Sequence, residues 1–140
     1  MADFQHLSNE RVVGHFLPDG RRFRLTEDLL YRPDVPGGPS HLTWTTLGSA
    51  LVVPAGFETD FASTPRLLWA IAPPIGRHTA ASVIHDWLYS QTIGSRWWAD
   101  RVFLRAMQQS HAPWWKSRAY YWSVRLFGHF VWRRYEKQKV

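Results

Sequence analysis

The chain predicts an α+β fold, a small N-terminal antiparallel β-sheet followed by three or four helices that include an antiparallel helical hairpin. Short apolar and β-branched runs, broken by Pro and Gly, occupy the segment from about residue 10 to residue 56. Beyond it the apolar residues recur at helical spacing. Hydrophobic residues make up 45% of the 140 positions, nine of them Trp, which suits one domain with a core and excludes a disordered chain.

In chain order, Val12 to Phe16 reads as a strand, Pro18-Asp19-Gly20 as a hairpin turn, and Arg22 to Leu25 as the returning strand. Leu29 to Tyr31 is expected to extend that second strand. Pro33 to Ser40 is Pro- and Gly-rich and reads as a loop, followed by strands at Leu42–Thr46 and Ala50–Val53. The sheet should hold four or five strands. From Thr59 to Arg66 the register changes from strand to helix. Ser63 or Thr64 can cap, Pro65 fits the first helical position, and Leu67 to Ile71 is a short helix stopped by Pro73-Pro74.

A helix is expected from Arg77 to about Gln91, with Ala81, Ile84, His85 and Leu88 on one stripe. Gly94 ends it, and Ser95 caps the next helix, which runs to about Gln109. Pro113 opens the last helix, which continues to about Lys137 with a weak point at Gly128. The single domain thus divides into a β-rich part (about 10–56), a His/Asp helical core (57–112) and a basic aromatic helix (113–140).

Composition narrows the chemistry. No cysteine is present, so there is neither a disulfide framework nor a thiolate metal site. MADFQHLSNER has no apolar stretch of a Sec signal, and no run approaches the roughly 18 uncharged apolar residues of a spanning helix. A soluble protein is expected. The net charge is +6, from 17 Lys and Arg against 11 Asp and Glu, and much of it lies in the last helix. That helix interleaves basic residues with Trp114, Trp115, Tyr120, Tyr121, Trp122, Phe127, Phe130, Trp132 and Tyr135. Such a pattern suits an anionic surface (membrane lipid or nucleic acid), another protein, a second copy of the chain, or burial against this one. Apolar residues lie nearly all round it between Ala119 and Trp132, so much of it is expected to be buried.

The candidate site centres on His85-Asp86-Trp87-Leu88-Tyr89. Asp100 precedes Phe103, Leu104 and Met107 by three, four and seven residues, which puts its carboxylate on a buried face where it needs a partner. His85 lies eight residues before Ile93 and Asp100 seven after it, so in an antiparallel helix pair the two come out level. Asp100 can then hold one ring nitrogen of His85 and leave the other as a base. Asp86 points about 100° away from His85. With Asp60, and more weakly Glu58, it is a candidate for a hard cation held by oxygen ligands. Tyr89 can orient a carboxylate through its hydroxyl. Ser63, Thr64, Arg66 and His78 are candidates for contacting substrate or supporting the pair, although Ser63 and Thr64 fit better as caps than as nucleophiles. His78, seven residues before His85, can share its face in a metal cluster. No P-loop, zinc-protease motif or G-x-S-x-G elbow occurs.

VPAGFETDFASTPRLLW, AASVIHDWLY and SRWWADRVFLRAM closely resemble the phage and prophage family called domain of unknown function 1353, strongly over Val53 to Met107. YYWSVRLFGHFVW, Tyr120 to Trp132, matches more loosely. This resemblance implies a bacteriophage or prophage origin, hence a host cytoplasm or a phage particle, and carries no established activity. Locally, His85-Asp86, Tyr89 and Asp100 are similar to the catalytic helices of phospholipase A2 enzymes. That likeness implies that His85 activates a water, Asp86 binds calcium, Asp100 orients His85, and Tyr89 donates behind it. The disulfides and the glycine-rich calcium loop of those enzymes are missing here, so the FETDFAST turn has to replace the loop.

Two functions are therefore expected, the first leading and the second its alternative. One is a His/Asp hydrolase, dependent on calcium or another divalent cation, acting on an ester or related bond in lipid or cell envelope. The other is a non-catalytic virion, tail or assembly component whose polar residues specify the fold.

Overall fold

The computed structural model describes residues 14–20, 22–31, 35, 37–38, 51–60, 79–110 and 112–138, which form five short strands and three helices. The strand expected at Leu42–Thr46 and the helix at Leu67–Ile71 lie outside these residues. So do the start of the first strand at Val12 and the site candidates Ser63, Thr64, Arg66 and His78.

Strands β1 (Gly14–Phe16) and β2 (Phe23–Leu25) form the expected hairpin, with Gly14 opposite Leu25 and Phe16 opposite Phe23. Gly20 closes the turn at φ +70°, a left-handed conformation that costs glycine little. The Asp19 carboxylate accepts the Arg22 backbone N–H at 3.1 Å. Side chains alternate across β2, so Phe23 and Leu25 are buried and Arg24 is exposed. On the far edge of β2 lies β5 (Glu58–Thr59), antiparallel, with Phe23 opposite Thr59. Glu58 is engaged there by Arg22 at 3.1 Å and Arg24 at 2.7 Å.

The strand β3 (Leu29–Tyr31) does not extend β2. It pairs with β4 (Leu51–Val53), Leu29 opposite Val53 and Tyr31 opposite Leu51, as a second, two-stranded sheet. The reason is hydrogen bonding between segments distant in sequence. Leu25 donates its N–H to Phe57 and accepts from Gly56, while Asp28 takes the Ala55 N–H at 2.7 Å. The exposed Thr26–Asp28 segment therefore turns the chain, and the one expected sheet becomes two.

Helix α1 (Thr79–Ser90) is buried on almost every side, with Trp87 and Ser90 only half-buried. It packs on β4 and β5 and on both other helices. After α1, Thr92 and Gly94 take positive φ and reverse the chain. Ser95 accepts the Trp98 N–H at 3.1 Å and caps α2 (Arg96–Gln109), as its position predicts. The third helix, α3 (Trp114–Gln138), returns along both. Val83, Ile84 and Leu88 meet Val102, Phe103, Tyr120 and Val124 in a core that also includes Leu29, Tyr31, Leu51 and Val53. The Tyr31 hydroxyl donates to Gln109 at 2.7 Å and so ties the second sheet to α2.

Two expectations concern α3. The helix runs unbroken through Gly128, the expected weak point. Its role is approach: a Cβ there would stand 2.5 Å from the Tyr89 hydroxyl and 3.3 Å from the ring. Much of α3 is expected to be buried against this chain or another copy, and within this chain one face of it is buried. Tyr120, Val124, Gly128 and Val131 face inward, whereas Trp122, Leu126, Phe127 and Phe130 are exposed. The described chain packs α1 and α2 against α3 from one side only. No helix among the described residues is long and apolar enough to cross a membrane.

Because the Tyr89 hydroxyl is held in place from its other side, it cannot swing away from a methyl group. Gly128→Ala should destabilise the fold by about 1–3 kcal/mol in urea denaturation. Adding Tyr89→Phe removes the atom that the new methyl group would strike, so the double variant should be more stable than the two single losses predict. Strict additivity would place the clash elsewhere.

Candidate functional site

Four donors converge on one carboxylate at the centre of the helices. Asp100, on α2, has no solvent exposure. Its Oδ1 is bound by His85 Nε2 at 2.7 Å and accepts from the Tyr89 hydroxyl at 2.7 Å. Its Oδ2 accepts from Arg125 Nη1 at 2.7 Å and, more loosely, from Arg96 Nη1 at 3.4 Å. An ionised carboxylate offers about four lone-pair sites, and these contacts fill them. The level spacing about Ile93 brings His85 to Asp100, and one further helical turn brings Tyr89. Arg96 precedes Asp100 by one turn of α2 and also donates to the α3 carbonyls of Val124 at 3.0 Å and Arg125 at 3.3 Å.

The electrostatics follow from this crowding. Burial by itself pushes the Asp100 carboxyl up. The hydrogen bond and charge of His85, with Tyr89 and Arg125, more than offset it and hold the group below its ordinary value of 3.8. Burial, and then the Asp100 charge, push the Tyr89 hydroxyl far up, so it keeps its proton and donates. An ionised Asp100 can only accept, which assigns the Nε2 proton to His85. The imidazole itself is 1% exposed and lies between the Tyr89 and Phe103 rings, at 4.3 and 4.5 Å.

Asp86 takes a different direction. Its carboxylate accepts from the Thr59 hydroxyl and joins α1 to β5. Asp60 follows Thr59 and is exposed. The Tyr135 hydroxyl, near the end of α3, is pushed up by burial first and then by the charges of Asp86 and Asp60. Among the described residues no group of three or more His, Asp or Glu side chains is placed to hold a metal. Two carboxylates and one hydroxyl fall short of the six to eight oxygens that calcium takes. Glu58 is occupied by Arg22 and Arg24.

His85, Tyr89 and Asp100 are thus brought together, while Asp86 and Asp60 lie toward β5. Thr59, Arg96 and Arg125 escape a reading of the sequence. Arg96 had a signal, an i to i+4 spacing to a carboxylate on a helix. Arg125 had none, because only packing of α3 brings it within reach.

Removing the carboxylate should be costly. Asp100→Ala leaves Arg125, Arg96 and His85 without their acceptor and should destabilise by roughly 3–5 kcal/mol in chemical denaturation. The depressed Asp100 pKa also fixes a sign. Its contribution is complete above the ordinary value of 3.8 and is lost as pH falls through the lower folded value. The stability advantage over Asp100→Asn should therefore be constant near neutrality and shrink in acid. An advantage that stays constant into strong acid would mean that the carboxylate is not held below its ordinary range.

A family model described as "Protein of unknown function (DUF1353)" matches residues 41–124, more than half of the chain. That range contains His85, Asp86, Tyr89, Arg96 and Asp100 and ends one residue before Arg125. An uncharacterized protein of Sinorhizobium fredii, y4jT, is 31% identical over 131 residues, which cover 91% of this chain and 35% of that protein. The chain thus spans about a third of the length of that relative. No solved structure matches. With its matched segment spanning both helices of the hairpin and their polar centre, the chain belongs to the DUF1353 family.

Proposed function

We propose that this protein is a non-catalytic component of a bacteriophage or prophage, acting through its surface, with the Asp100 network as an internal tie of the fold. One observation carries this reading: the carboxylate is fully buried and already satisfied by four donors, two of them arginines. A His/Asp pair in general-base catalysis needs the carboxylate to stabilise the imidazolium formed when the base takes a proton. Here the other carboxylate oxygen is already taken by Arg125 at 2.7 Å and Arg96 at 3.4 Å. The phage or prophage origin rests on the motif resemblance.

A hydrolase acting on an ester in lipid or cell envelope is the second reading, and a specific observation favours it. Asp100 engages His85 through Nε2 and shares that oxygen with the Tyr89 hydroxyl, which is the orienting arrangement the phospholipase A2 likeness implies. The purified protein should nevertheless turn over neither phospholipids nor small activated esters, with or without calcium. His85→Asn should lower stability by about 1–3 kcal/mol, and the yield of infectious particles should follow the amount of folded protein. Ester turnover by the unaltered protein, abolished by His85→Asn in a folded variant, would replace this reading with the hydrolase.

A further inference from the structure

We infer that the outward face of α3 seats on an anionic phospholipid surface, lying in the plane of the headgroups. At about 100° per residue, positions 115, 122, 126 and 130 return to nearly the same side of a helix. Here they hold Trp115, Trp122, Leu126 and Phe130, which are 46%, 58%, 62% and 63% exposed. This stripe lies opposite Tyr120, Val124 and Gly128, the residues that pack inward. Arg118 runs along one flank and Arg134 along the other, both exposed, and Arg133 and Lys137 continue the stripe past Phe130. In all, α3 carries six basic residues against one acid, Glu136, a net charge of +5.

Apolar rings along the middle and cations along the edges match a bilayer surface. Trp, Phe and Leu settle at the boundary between headgroups and acyl chains, while Arg and Lys reach sideways to lipid phosphates. Lying flat is the available mode, since no described helix is fit to span. Charge argues against a second copy of this chain as the occupant, because two such faces would bring together Arg118, Arg133, Arg134 and Lys137 from each, with Glu136 the one acid on the helix. It also argues for lipid over nucleic acid. A phosphate backbone needs cations at the centre of the contact, where this face has Leu126 and Phe130. The face points away from α1 and α2, so the inference stands whether the Asp100 network is structural or catalytic.

The full chain is to be sedimented with vesicles of phosphatidylcholine alone and with vesicles of equal phosphatidylcholine and phosphatidylglycerol. Binding to the anionic vesicles should be at least about tenfold tighter and should weaken with added salt. A variant carrying Trp122→Ser, Leu126→Ser and Phe130→Ser should keep the parent melting temperature, since all three are exposed, and should lose vesicle binding. A second variant with Arg118→Gln, Arg133→Gln and Lys137→Gln should keep its fold and lose the preference for phosphatidylglycerol. Equal binding to both vesicle types would overturn the inference, as would binding that survives the triple Ser change. Dimerisation, or retention of single-stranded DNA, with no sedimentation on either vesicle would overturn it as well.

Discussion

An ionised carboxylate in a protein interior costs several kcal/mol unless its oxygens are occupied. Asp100 meets that condition only when α1, α2 and α3 are all in place. His85 and Tyr89 come from α1, Arg96 from its own helix, and Arg125 from α3. Removing any one helix leaves charge or hydrogen-bonding capacity stranded. The network therefore selects one arrangement of the three helices, whereas apolar contacts alone tolerate sliding and rotation. Gly128 belongs to the same constraint. The Tyr89 hydroxyl can reach Asp100 with α3 closed against it only because position 128 has no side chain.

A helix buried on nearly every side usually carries only apolar residues, yet α1 carries two acid-linked contacts on different faces. His85 faces the helices through Asp100, and Asp86 faces the sheet through Thr59. Adjacent residues on a helix diverge by about 100°, so one dipeptide can serve two layers at once. The His-Asp pair is thus a joint between the β-rich and helical parts of the fold.

What stabilises the interior also bears on its chemistry. His85, Tyr89 and Arg125 hold Asp100 ionised, and Arg96 adds a looser contact to the same carboxylate. The residues that draw attention as catalysts are also the ones that join the three helices. The outer surface of α3 has no comparable internal explanation, since its rings contribute nothing to the core they face away from.

The chain's own sequence determined whatever depends on neighbours a few residues apart. Asp19-Gly20 specifies a hairpin, Ser95 a helix start, and the spacing of His85 and Asp100 about Ile93 a level pair across two antiparallel helices. Each of these is a short-range rule of turn chemistry or helical period. Tertiary structure decided the rest. That Leu29–Tyr31 leaves β2 to pair with β4 depends on the hydrogen bonds that Leu25 donates to Phe57 and accepts from Gly56, both distant in sequence. That Arg125 reaches Asp100, that Gly128 marks a close approach, and that Trp122 and Leu126 look outward all depend on how α3 is rotated about its axis. With apolar residues nearly all round, α3 has no single hydrophobic side from which that rotation could be read. It is set by which of its residues fit against Tyr89 and Asp100.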